Sequence, residues 1–255
     1  MPETPKPTPA SIADRQPIGL IGPEWALRKS ARGAALWRHA GVLSASRQER
    51  VEVLALDRAA NGARFTYRDE WNIPAPGARF RVRRVNAGDR TAAFDELSMA
   101  RLEGAALEWL RERAPRIVHV LGIDGFGPGV MLALEAADVP TVLTLERLRE
   151  LKAAMEAAAS RNPEVRGHYR AALSSARRIV VRSTADAAAA EALGAPREKL
   201  RVMKATQEGE MPLLRAFARL YRLLAPAAPV AADQGVHAEA ASRASASAGA
   251  AAAAS

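Results

Sequence analysis

The stretch from Arg116 to Ala205 opens as RIVHVLGIDGFGPG (116–129), continues as VMLALEAADVPTVLTLERL (130–148) and closes as ARRIVVRSTADAAAAEALGAPREKLRVMKA (176–205). Three short β-branched runs, Ile117–Leu121, Thr141–Leu145 and Ile179–Val181, alternate with Ala-rich helical runs. Each run gives way to Gly, Thr or Ser. This is the pattern of a parallel sheet joined by crossover helices. Such sheets place ligands at the carboxyl ends of their strands.

Working outward, the spacing predicts helices over Val130–Ala137, Arg147–Ala159, Glu164–Ala176 and Thr184–Leu193, with a short strand at Leu200–Met203. Toward the N-terminus, Pro17–Gly22 and Val51–Leu56 read as buried strands, and Trp25–Ala40 reads as a helix. Arg64–Tyr67 suggests a short strand or hairpin arm. RFRVRRV (79–85) alternates basic with apolar and predicts an edge strand with one wet face. Thr91–Arg113 carries an apolar stripe and ends before Pro115. Pro212–Leu224 is a closing amphipathic helix. The expected fold is α/β: a single doubly wound, Rossmann-like, mostly parallel sheet of six or seven strands with helices on both faces.

Composition sets the boundaries. Residues 1–16 carry four prolines and read as a disordered lead, and residues 225–255 are mostly Ala, Ser, Pro and Gly with almost no large apolar side chain and read as a low-complexity disordered tail. The expected domain is therefore 17–224, with 212–224 as its closing helix. The chain has no cysteine, which excludes disulfides and thiolate metal sites. No apolar run reaches the roughly 18 residues of a membrane span, and the first residues have no signal-peptide core, so a cytoplasmic location is expected. The net charge is +9 and the pI about 10.7. The cations are almost all arginines scattered along every helix, so no specific nucleic-acid partner is expected. Peripheral contact with an anionic membrane surface, at the inner face, fits the charge better.

The ordered set Ile117–His119, Val139–Pro140, Thr144–Glu146, Ala176–Ser183 and Leu193–Gly194 resembles the N-terminal domain of GT-B glycosyltransferases, most closely family 4. That family comprises retaining enzymes that use nucleotide-sugar donors. The resemblance implies an acceptor-binding domain, with the nucleotide sugar as substrate and no separate cofactor. It implies a glycan or lipid-linked acceptor. Two departures stand out. Arg32-Gly33 occupies the place of a glycine pair that lets the backbone approach a diphosphate, with one glycine missing. Glu146 stands where the family places an active-site histidine. The donor-binding second domain has no counterpart after Ala205, so a separate chain carrying it is the expected partner, and the chain alone is expected to be incomplete as an enzyme. MPLLRAFARLYRLL (211–224) resembles the helix with which these enzymes cross back to the first domain, and also reads as an ordinary closing helix.

The site residues follow from strand ends and from the resemblance. Glu146 and His119 are the catalytic candidates. His119 is either a buried, satisfied histidine or a pocket group at a strand end. Gly122, Asp124, Gly125, Gly127 and Gly129 form a strand-to-helix loop that serves either as a tight turn or as a backbone approach to a ligand. Asp124 caps the turn or meets a sugar hydroxyl. Ser183 caps the helix that follows it and, by the resemblance, also faces the cleft. Arg28, Lys29 and Arg32 form either a solvated face or contacts to a phosphate group or anionic headgroup, and Gly33, by the resemblance, lets the backbone approach a ligand. His39 and His168 have no partner at ligand spacing, and no metal constellation is visible. Two other readings stay open: a non-catalytic interaction module that kept the fold, and an NAD(P)-binding Rossmann protein with Glu146 as its ribose carboxylate.

Overall fold

Val51–Leu56 (β2) has every residue buried, as does Ile18–Gly22 (β1) beside it. A strand buried on both faces belongs to the middle of a parallel sheet covered by helices on each side. The computed structural model bears this out. It describes residues 16–22, 31–45, 49–57, 66–76, 78–86, 96–123, 126–160, 162–203 and 211–225. The expected lead and nearly all of the expected tail lie outside these residues, as do Arg28, Lys29, Asp124 and Gly125.

The remaining strands are Thr66–Ala75 (β3), Ala78–Asn86 (β4), Ile117–Leu121 (β5), Thr141–Thr144 (β6), Arg178–Val181 (β7) and Leu200–Val202 (β8). They make one eight-stranded sheet in the order β3-β4-β2-β1-β5-β6-β7-β8. Only β3 runs antiparallel, paired to β4. The helices are Ala31–Ala45 (α1), Glu96–Arg113 (α2), Gly129–Ala136 (α3), Leu148–Ala159 (α4), Glu164–Ser175 (α5), Thr184–Ala192 (α6) and Met211–Leu224 (α7). One face of the sheet packs on α1 and α7 through Leu36, Leu43, Leu213, Phe217 and Tyr221. The other packs on α2 to α6 through Trp109, Met131, Leu151, Leu173 and Ala190.

Three expectations are corrected. The sheet has eight strands rather than six or seven. The basic strand β4 is internal, because β3 covers its outer side. Its arginines do not all face water: Arg83 is buried and bonds Asp69 and Glu112, while Arg84 bonds Asp57 and Glu70. The arm expected at Arg64–Tyr67 begins at Thr66 and runs on to Ala75, with a register shift between Asn72 and Ala75. That irregularity accommodates Pro74, which has no amide hydrogen to give a ladder.

Gly19 in β1 sits where no side chain fits. A Cβ there would lie 2.8 Å from the Trp109 indole and 2.9 Å from Val118, and Trp109 is fully buried. Gly104, exposed on α2, has nothing within 4 Å. Gly19→Ala is therefore expected to cost about 1–3 kcal/mol, and Gly104→Ala to add about 0.5–1 kcal/mol. Urea denaturation of the two variants checks both signs.

Candidate functional site

Strands β5, β6 and β7 end side by side, and the residues that follow them open a cleft at the carboxyl edge of the sheet. Leu121, Gly122 and Ile123 come from β5 and its loop, and Thr144 to Arg147 come from β6 and its loop. Arg182 follows β7, while His39 on α1 and Leu213, Leu214 and Phe217 on α7 close the far wall. This is the edge at which open α/β sheets hold ligands.

At the mouth, Arg182 Nη2 donates to Glu146 Oε1 at 2.5 Å. Both side chains are part-exposed, 37% and 44%, so solvent screens the pair and a ligand can compete for either partner. Arg147 is held by Glu150 at 2.9 Å.

Beneath the mouth lies a buried polar chain. His119 Nε2 meets Thr144 Oγ1 at 2.7 Å, and His119 Nδ1 meets the Tyr221 hydroxyl at 2.5 Å. The same hydroxyl meets His39 Nε2 at 3.0 Å. Phe217 lies against both imidazoles, with ring centroids 5.2 Å from His39 and 4.6 Å from His119. Burial drives His39 from its ordinary 6.5 down to about 3, with Arg182 adding to the effect. Burial, then His39 and Arg182, hold His119 well below its ordinary value. Burial raises the Tyr221 phenol well above its own. With both rings neutral, each offers one N–H and one lone pair, so Tyr221 donates to one histidine and accepts from the other.

The structure distributes the sequence-derived residues unevenly. Glu146 and Gly122 line the cleft. His119 is 0% exposed with both ring nitrogens engaged, so it reaches the cleft only through Thr144. Gly33 is buried in the first turn of α1, beside Arg32. The glycine loop divides. Gly122 and Gly127 take the left-handed φ values of +90° and +80°, and buried Gly127 donates its N–H to the Ile123 carbonyl at 2.9 Å. At Gly129 a Cβ would lie 2.8 Å from the Glu103 carboxylate of α2, so the glycine leaves room for that side chain. Ser183 caps α6, accepting the Asp186 N–H at 3.0 Å and donating to its carboxylate at 2.7 Å. His39, Arg182, Phe217 and Tyr221 were not singled out as site residues. The one available signal was a histidine inside an apolar helix face opposite an aromatic-rich closing helix.

A mostly parallel sheet carrying a cleft at the carboxyl ends of β5, β6 and β7 defines an α/β domain of the Rossmann-like, GT-B N-terminal kind. Residues 35–206 match the family model described as the glycosyl transferase 4-like domain, and the chain belongs to that family. A part of the sucrose-phosphate synthase of Thermosynechococcus elongatus superposes with a TM-score of 0.53 at 15% identity, covering 82% of this chain and 99% of that one. The longer structure of that synthase gives a TM-score of 0.52 at 14% identity, covering 75% of this chain and 48% of that one. The chain thus spans about half of the longer synthase structure. At these identities the likeness is one of fold. A search of curated protein sequences returned no match. Among the described residues no helix is long and apolar enough to cross a membrane.

The buried chain sets the pH response. Above pH 6.5 the histidines are neutral in both folded and unfolded states. Below it the unfolded chain takes up protons that the buried rings refuse, so stability falls down to about pH 3 for His39. At pH 5 the loss for His39 alone is about 2 kcal/mol. His39→Gln is expected to flatten this slope between pH 7.5 and pH 5 in urea denaturation. Tyr221→Phe leaves two ring nitrogens without their shared hydroxyl and is expected to cost about 1–3 kcal/mol at pH 7.5.

Proposed function

We propose that this chain is the acceptor-binding half of a glycosyltransferase that takes its donor from a nucleotide sugar. The observation that carries the proposal is the part-exposed Glu146–Arg182 pair at the carboxyl-edge cleft of a domain in the glycosyl transferase 4-like family. In this reading an acceptor hydroxyl binds at Glu146, and Arg182 steadies the acceptor or its anionic group. The acceptor oxygen bonds to the anomeric carbon, the bond from that carbon to the diphosphate oxygen breaks, and the hydroxyl proton leaves with the diphosphate. Glu146 orients the acceptor, because a carboxylate this close to a diphosphate would repel it. Thr144, held by His119 and through it by Tyr221, presents its hydroxyl as a fixed hydrogen-bonding group on the cleft floor. The donor-binding half comes from a second domain or a separate chain, and the acceptor is a glycan or a lipid-linked sugar.

A second reading, a non-catalytic interaction module, draws support from two observations. His119 has no exposed atom, and Glu146 is already taken by Arg182.

Thermal shift against UDP- and GDP-sugars, UDP, GDP, NAD and NADP separates the readings, because a ligand that binds only the native state raises Tm. The proposal expects a shift with a nucleotide sugar, whose sugar end reaches the acceptor cleft, and a shift no smaller in Glu146→Gln, which removes the carboxylate that repels the diphosphate. It also expects no sugar transfer by the purified chain alone. A shift with NAD or NADP only overturns it in favour of the dinucleotide reading. No shift with any of the six overturns it in favour of the non-catalytic module.

A further inference from the structure

The β3–β4 hairpin carries a surface that the cleft does not use. Trp71 is 54% exposed and Ile73 is 74% exposed, on the outermost strand of the sheet. Alternation puts both on one face of β3, since side chains repeat every second residue along a strand. Trp71 pairs across to Arg81. The Arg81 guanidinium stands 4.7 Å and the Arg79 guanidinium 5.3 Å from the centre of the Trp71 ring. The carboxylates of this face are engaged elsewhere: Asp69 with Arg83 and Arg113, and Glu112 with Arg83. Among the described residues no ion pair holds Arg79 or Arg81. The result is two cations without an ion pair, Arg79 exposed and Arg81 half-buried within the field of Asp69, flanking an exposed indole with a nearly bare isoleucine beside them. The hairpin closes at the Ala75–Ala78 pair, and β4 runs parallel to β2. The closed end of the hairpin therefore lies at the amino edge of the sheet, opposite the cleft.

We propose that this hairpin face docks on an anionic lipid bilayer. Surface cations that no ion pair holds favour an anionic partner. A tryptophan seats at the boundary between headgroups and acyl chains, arginine stems lie along apolar surface with their heads in the polar layer, and isoleucine enters the hydrocarbon. A nucleic acid fits the same charge less well. The Trp71 ring already carries guanidinium groups over it, where a base would stack, and Ile73 gives a base nothing. Because the docking face and the cleft lie at opposite edges of the sheet, the cleft stays open when the protein is bound.

The test is flotation of the full chain with vesicles of phosphatidylcholine, pure or containing about 30 mol % phosphatidylglycerol, beside binding to an oligouridylate. The wild-type chain is expected to float with the anionic vesicles only, and less at high salt. Arg79→Gln/Arg81→Gln is expected to weaken partitioning about thirtyfold. Trp71→Ser/Ile73→Ser is expected to weaken it tenfold or more, on the order set by the apolar area withdrawn. All four side chains project from the outer part of the sheet, and circular dichroism with Tm confirms that both variants fold. Three results overturn the proposal: no flotation of the wild-type chain with anionic vesicles, unchanged flotation of both double variants, or loss of oligouridylate binding in the variants with vesicle binding intact. Nucleotide-sugar binding is expected to be the same in both variants, so failure here leaves the proposed function standing.

Discussion

A sheet kept dry on both faces obliges every polar group placed on it to find a partner from a helix or a loop. Glu52 and His119, on neighbouring parts of the sheet, carry that obligation toward opposite sides. Glu52 of β2 is 1% exposed and takes Arg50 at 3.1 Å, with Arg113 of α2 at 3.6 Å. His119 of β5 takes Tyr221 of α7 and Thr144 of β6. Apolar packing alone would let a helix slide along its groove. The hydrogen bonds of the buried imidazole give α7 one seating, while the buried carboxylate draws Arg113 of α2 only to ion-pair distance. Arg116, just ahead of β5, adds a second tie by bonding both Glu49 and the carbonyl of Ala225 at the end of α7.

The fold was largely legible because its strands are short β-branched runs and its helices are Ala-rich, one of them capped by Ser183. Val51–Leu56 and Ile117–Leu121 are found where the pattern put them. The hairpin was harder. Strand β3 reads TYRDEWNIPA, and its Asp, Glu, Asn and Pro are depleted in strands, so only its first residues were readable. The alternation of β4 suggested a wet face. Part of that face is in fact neutralised by acids from β3 and α2, which no local pattern reveals. The site was less legible for the same reason. Glu146 and Gly122 lie where strand ends put them, but Glu146 finds Arg182 at a distance of 36 residues along the chain, and His39 finds Tyr221 at 182. Such pairs are made by the crossing of elements, not by spacing within one.

The cleft is assembled from the first and last helices of the described fold and three central strands. Its polar groups are graded by depth. Glu146 and Arg182 are wet and exchangeable, Thr144 is nearly covered, and His119 is sealed. A gradient of this kind suits a site that must accept a polar ligand at its mouth while keeping its floor rigid.

Helix α7 is also the last element of the fold to be synthesised. Tyr221 follows His119 by 102 residues and His39 by 182. At roughly 5–20 residues per second, the ribosome takes about 5–20 s to add the residues between His119 and its partner. During that interval His119 on β5 has only Thr144, His39 on α1 lacks the Tyr221 hydroxyl, and the sheet shows an apolar face that Leu213, Phe217 and Tyr221 complete. The nascent chain therefore matures from its far end: the half of the core beneath α1 closes in a single late step, and a chain halted before Met211 carries that open face for its whole lifetime.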